Sequence, residues 1–229
     1  MTEPDPREEL VRYGRRLLDD GLAIGSAGNL SVRSGGQILI TPSAVPYREM
    51  LPAQIVAVGA AAGRAAAGGP EPSSELPMHL AVYAGTSAQA IVHTHSPEVI
   101  ALSATCDELP AVHYAIAALG GPVRVAPYAR FGSAELASAA VAALAGRRAA
   151  ILANHGAIAC GTTLAEAYER ALLLEWLARV FRLALAYPAG QAAPSGTRPG
   201  PRVLTGAELA EVVAEARRRG YRAAYDGEG

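Results

Sequence analysis

The chain contains no lysine: all 20 of its basic residues are arginine. That excludes every chemistry that runs through a lysine amine, including a substrate Schiff base, a pyridoxal phosphate linkage and a P-loop phosphate clamp. Carbonyl chemistry on such a chain needs a metal as its electrophile. Cysteine is scarce as well. Cys106 and Cys160 are too few for a disulfide framework and fit a reducing, cytoplasmic compartment. Arg, Gly or Pro interrupts every apolar stretch before it reaches the length of a membrane span. The start, Thr2-Glu3-Pro4-Asp5-Pro6, is acidic and polar and reads as no secretory signal. The formal net charge is −1, with both signs dispersed, so the basic stripe of a nucleic-acid binder is missing too.

What is present suits a buried core. Apolar residues make up 51% of the 229, much of them alanine, and nothing forces a division into domains. The expectation is one domain over 1–229 with a flexible C-terminal extension from about 188. Helices are expected over 6–20, 75–83, from Ser96-Pro97 onward, 113–119, 133–144, 163–187 and 205–219. Their signals include Gly21 as a stop, Ser96-Pro97 as an N-cap and first-turn pair, and a capping box in Thr163-Leu164-Ala165-Glu166. Strands are expected after the loop 25–28 and over 37–41, 55–58, 89–93, 149–153 and 157–160. Residues 59–72 read as an exposed hairpin or mobile loop and 191–202 as a linker. Short turns between several strands imply a layered α/β domain whose central sheet is mixed but largely antiparallel and covered by helices.

The sharpest motif is His93-Thr94-His95, which follows the apolar run Ala90-Ile91-Val92. Alternation along a strand sends residues i and i+2 to one face, so two imidazoles point the same way as a ready pair of metal ligands. His155 sits in the turn Asn154-His155-Gly156 after a buried strand, where layered folds display functional side chains. Three imidazoles would leave one position of a tetrahedral zinc open, a catalytic rather than a structural arrangement. His79 and His113 read as hydrogen-bonded structural residues. Glu75, beside Ser73-Ser74 at a helix start, is either the acid/base of the site or an acid complementing the helix dipole. The loop Gly25-Ser26-Ala27-Gly28-Asn29, Ser43 after Pro42, and Ser73-Ser74 are candidate anion donors. Arg33 and Arg48 are either charge partners for that anion or surface residues.

Seven segments in order carry a further signal: 25–33, 40–47, 72–75, 92–95, 110–114, 126–132 and 154–160. Among them are Pro72-Ser73-Ser74-Glu75, Val92-His93-Thr94-His95 and Ala126-Pro127-Tyr128-Ala129-Arg130-Phe131-Gly132. Together they resemble the class II aldolase/adducin family over about 5–187. The resemblance implies zinc, or another divalent metal, on His93, His95 and His155, with Glu75 as the remaining ligand and the acid/base. It implies a substrate phosphate held by Gly28, Asn29, Ser43, Ala44, Ser73 and Ser74. Tyr114 from a neighbouring subunit would serve the aldehyde end, and Phe131 would line the same wall of an intersubunit site in a homotetramer. The implied reaction is reversible cleavage of a ketose 1-phosphate, such as L-fuculose 1-phosphate, to dihydroxyacetone phosphate and a small aldehyde such as L-lactaldehyde.

The sequence departs from the family pattern in places. Ser43-Ala44 stands where Thr-Gly is usual, and a methyl there restricts backbone that glycine leaves free. Ser26 replaces a threonine, and Arg217-Arg218-Arg219 covers the place of a C-terminal tyrosine, leaving Tyr221 or Tyr225 as substitutes. The same fold also hosts sugar-phosphate epimerases, dehydratases and decarboxylases, and the adducin head domains, which lack the metal ligands. The epimerases carry Asp at the position of Glu75.

Overall fold

The computed structural model describes residues 5–59, 69–187 and 200–221. Part of the expected loop (60–68), the start of the expected extension with most of the expected linker (188–190 and 191–199) and Tyr225 lie outside the described residues.

In chain order the elements are α1 (Pro6–Asp19), β1 (Asn29–Ser34), β2 (Gln37–Ile40), β3 (Val56–Gly59), α2 (Leu76–Gly85), β4 (Ala90–Thr94), α3 (Pro97–Ser103), β5 (Glu108–Leu109), β6 (Val123–Ala126), α4 (Ala134–Leu144), β7 (Ala149–Leu152), β8 (Gly156–Gly161), α5 (Leu164–Ala186) and α6 (Gly206–Arg218). Short 3-10 turns occupy Pro52–Gln54 and Tyr114–Leu119. The eight strands form one sheet in the order β3-β2-β1-β4-β8-β7-β6-β5. Among the described strands only β6 and β7 run parallel, so the sheet is mixed and largely antiparallel as expected.

Alternation along β4 explains the three layers. Ala90 and Val92 join a core with Leu10 and Leu17 of α1, Val99 of α3 and Leu174 of α5. Ile91 points the other way, into a second core with Met78 and Val82 of α2 and Leu136 and Ala140 of α4. Burying both faces is why β4 and β8 read as continuous apolar runs. In the C-terminal extension, α6 lies against the 3-10 turn at 114–119. Thr205 and Glu208 form a capping box there, and the Leu204 N–H donates to the Ala111 carbonyl at 2.9 Å.

Two helix starts differ from the sequence expectation. Thr163 accepts from the Glu166 N–H, but the Glu166 carboxylate turns to the Thr162 N–H and hydroxyl, so the reciprocal half of the box is not made. Ser96 precedes α3 without capping it. The Glu175 carboxylate of α5 accepts from the Glu98 and Val99 N–H groups instead, at 3.0 and 3.1 Å. The strands β5 and β6 carry too short a pattern to stand out in the sequence.

Candidate active site

Strand register brings the candidate residues to one end of the sheet. Asn29, the first residue of β1, pairs with His93 near the end of β4, and His93 pairs with Ile158 near the start of β8. Gly28, His95 and His155 therefore leave the same end of three adjacent strands. Close approach there requires glycine. A Cβ on Gly28 would lie 2.6 Å from the His93 carbonyl oxygen, and one on Gly156 would lie 2.0 Å from that of Thr94. Tyr47 braces the loop by donating its hydroxyl to the Gly28 carbonyl at 2.7 Å.

His93 continues the α2-facing side of β4, where α2 begins beside Glu75. His93 Nε2 lies 2.8 Å from Glu75 Oε2 and 3.0 Å from His95 Nε2, and His155 Nε2 lies 3.3 Å from Glu75 Oε1. The three imidazoles meet edge to face, each pair of ring centroids 4.9 Å apart. All four donor groups come within 4.8 Å of one another. His93 Nδ1–H donates to the Ala157 carbonyl at 2.8 Å, which turns Nε2 into the cluster and fixes its role.

The electrostatics match that geometry. Burial opposes the charge on Glu75, yet His93, His155 and the Asn29 amide hold its carboxyl well below the usual carboxylate range. Burial also opposes the charge on His93, but the neighbouring carboxylate raises its pKa. His95 is lowered to about 3 and His155 to about 4, each first by burial and then by His93. Two imidazoles are thus neutral at physiological pH with free lone pairs. A single proton on His93 Nε2 serves both Glu75 and His95, while Glu75 Oε1 is buried without a hydrogen bond. A divalent cation would satisfy all four groups at once, so the donor set fits a metal.

Beside the cluster opens a cavity of about 400 Å³. It is lined by Ser26, Ala27, Gly28, Asn29, Pro42, Ser43, Ala44, Ser73, Ser74, Glu75, His95, Tyr128, Ala129, Phe131, Asn154 and His155. The sequence profile described as "Class II Aldolase and Adducin N-terminal domain" matches residues 8–181. The chain belongs to the class II aldolase and adducin N-terminal domain family. It is 41% identical over 178 residues to the 5-deoxy-D-ribulose 1-phosphate aldolase of Bacillus thuringiensis serovar kurstaki, covering 76% of this chain and 83% of that one. It is 38% identical over 223 residues to the L-fuculose phosphate aldolase of Escherichia coli, covering 93% and 98%. A solved L-fuculose 1-phosphate aldolase superposes with a TM-score of 0.83 at 36% identity, covering 95% of this chain and 98% of that one. The chain is a lyase of the class II aldolase type.

Ten of the twelve candidate site residues line this aldolase-family cavity. His93 stands behind it, fully buried, and Tyr114 stands apart, stacked on His113 with ring centroids 4.4 Å apart. Arg33 bonds the Ala88 and Tyr83 carbonyls and Arg48 pairs with Asp19, so neither faces the cavity. Tyr128 and Asn154 line it unannounced by the sequence reading, although both sit inside segments that carry the resemblance. His113 caps its 3-10 turn by accepting from the Ala115 N–H, a structural role as expected.

Ala44 and Asn154 are the two non-glycine residues with positive φ among those described, at 57° and 54°, and both border the cavity. Ala44 thus adopts the left-handed backbone that the usual glycine would take, at a cost of roughly 1–2 kcal/mol. Ala44→Gly is expected to stabilise the protein by about 0.5–1 kcal/mol after glycine's larger unfolded-state entropy is counted. Calorimetry would show this as a rise in Tm of about 1–3 °C, and an unchanged or lower Tm would mean the loop carries no such strain.

Proposed function

We propose that the chain is a zinc-dependent aldolase that cleaves a ketose 1-phosphate to dihydroxyacetone phosphate and a small aldehyde. The observation that carries this reading is the convergence of Glu75 with three imidazoles beside a cavity rimmed by small polar residues. With no lysine in the chain, the amine route to carbonyl activation is closed. A divalent metal on His93, His95 and His155, with Glu75 as its displaceable fourth donor, supplies Lewis-acid stabilisation for the negative charge that develops on the ketose oxygens.

Backbone N–H groups around Gly28 and Ala44, the Asn29 amide and the hydroxyls of Ser43, Ser73 and Ser74 bind the phosphate without a formal positive charge. On cleavage the C3–C4 bond breaks, the C4 hydroxyl loses its proton, and the bond's electron pair stays on C3. Glu75, ionised at rest, receives the C4 hydroxyl proton by way of Tyr114 and delivers it to that carbon, and in condensation it takes the proton back. Tyr114 of a neighbouring subunit handles the proton at the aldehyde oxygen, and Phe131 shapes the wall there. Tyr114, Tyr128 and Phe131 are 52%, 70% and 58% exposed in one chain, which suits sites completed between subunits, and the assembly we propose is a homotetramer. The proposed compartment is the cytoplasm, where both cysteines remain thiols. We take the chain as one domain whose extension begins near 188. No described helix is long and apolar enough to cross a membrane.

Metal uptake should release about one proton per ion below the raised pKa of His93, because His95 and His155 are already neutral from about pH 5 upward. The sign follows: affinity rises with pH until His93 has lost its proton, then levels off. Calorimetry in buffers of different ionisation enthalpy would check this, and release of two protons would contradict it.

The deciding assay couples dihydroxyacetone phosphate release from L-fuculose 1-phosphate and from 5-deoxyribulose 1-phosphate, with and without a chelator. Chelator-sensitive release supports the aldolase, and the rate ratio identifies the aldehyde. No release from a metal-loaded protein would favour the epimerase, dehydratase or decarboxylase chemistries of the same fold. A protein that binds no metal would favour an adducin-like interaction module.

A further inference from the structure

Helix α2 places Glu75, His79 and Tyr83 in one stripe, four residues apart, and β1 places Asn29 and Ser31 on one strand face. The two stripes interleave beneath the metal cluster. Tyr83 Oη lies 2.8 Å from Ser31 Oγ, which lies 2.6 Å from His79 Nδ1. His79 Nε2 lies 2.5 Å from Asn29 Oδ1, and Asn29 Nδ2 lies 3.0 Å from Glu75 Oε2. All five residues are buried, His79 and Ser31 completely.

The carboxylate sets the direction of every bond in this chain. An ionised Glu75 only accepts, so the Asn29 NH₂ donates to it and the Asn29 carbonyl turns to His79. His79 must then carry its proton on Nε2 and accept at Nδ1 from the Ser31 hydroxyl, which in turn accepts from Tyr83. One tautomer of His79 satisfies the whole chain. The result treats the two oxygens of Glu75 differently. Oε2 is held by Asn29 and His93, while Oε1 is left without a hydrogen bond.

We propose that His79 is a positioning residue: through the Asn29 amide it holds Glu75 Oε2 and leaves Oε1 as the free acceptor for proton transfer, with the Ser31 hydroxyl, backed by Tyr83, satisfying its Nδ1. The arrangement is built for placement rather than for packing, because leucine or isoleucine would fill the α2–β1 contact without five polar groups that must all be satisfied. The proposal rests on Glu75 being the proton carrier and a metal donor.

The test compares His79→Phe, His79→Gln and Ser31→Ala in the full chain. The readouts are zinc affinity by competition with a chromophoric chelator, kcat and KM on the ketose 1-phosphates, and Tm. His79→Phe is expected to lower kcat by about 10–100-fold and zinc affinity within the same range, with a smaller change in KM. His79→Gln, whose amide can still donate to Asn29 Oδ1, is expected to recover both to within a few-fold. Ser31→Ala should lower kcat and zinc affinity a few-fold with Tm near that of the parent. Equal losses in Phe and Gln variants that follow their Tm, or a Ser31→Ala protein with parental kcat and zinc affinity, would overturn the proposal in favour of a packing role. If His79→Phe does not fold, the other two variants decide. Zinc affinity is measured without turnover, so failure of the aldolase reading leaves that arm in force.

Discussion

Glu75→Gln is expected to retain about one metal per chain while losing roughly 10²–10⁴ in kcat, the usual worth of a positioned acid/base. The substitution keeps shape and removes charge. The Gln carbonyl can take the place of Oε2 and accept from Asn29, so the pocket has no steric reason to rearrange. Three imidazoles still face the metal position. What disappears is Oε1 as a proton acceptor, and an amide nitrogen cannot replace it at neutral pH. Steady-state kinetics with metal analysis on the same preparation checks this. Full turnover would remove Glu75 from proton transfer, and loss of metal together with turnover would reduce it to a ligand.

His95→Ala is expected to lose the metal outright. Partners that only orient a ligand are worth about 10–100-fold in affinity, so deleting a ligand should cost more than about 100-fold. His95 follows β4; its ring meets those of His93 and His155 in the cluster, and its N–H donates to the Leu22 carbonyl at 2.9 Å. Because that bond is backbone, the variant should keep its secondary structure, and circular dichroism separates metal loss from unfolding. His113→Ala is the control, since its ring touches Tyr114 and Trp176 rather than the cluster. A stoichiometric metal content in dialysed His95→Ala would contradict the ligand assignment.

The pair His93/His95 was legible because strand alternation is local: two residues apart on β4 means one face, whatever the rest of the chain does. Glu75 was only half legible. Its neighbours Ser73 and Ser74 mark a helix start, but the groups that hold its carboxylate lie 46 positions before it at Asn29 and further along the chain at His93 and His155. His79 reads from the sequence as a hydrogen-bonded structural histidine, and so it is by its contacts. Its place behind Asn29 follows only when β1 is laid under α2, although the spacing Glu75, His79, Tyr83 was visible as one helical stripe. The start of α3 teaches the same lesson. Ser96-Pro97 has the right local chemistry for a cap, yet Glu175, 77 positions beyond Glu98, supplies the acceptor. Local signals locate elements well and are silent about which distant side chain completes them.

The glycine approaches and the strand register have a kinetic consequence. The donors around 75, at 93–95 and at 155 meet only after β1, β4 and β8 have paired across long stretches of chain. Contacts of such high sequence separation form late, after most loop-closure entropy has been lost. A metal held there has little to grip in the folding transition state and acts mainly on the reverse path. Bound there, it would tie the start of α2 and the ends of two central strands into one knot and slow the opening of the sheet far more than it hastened its assembly.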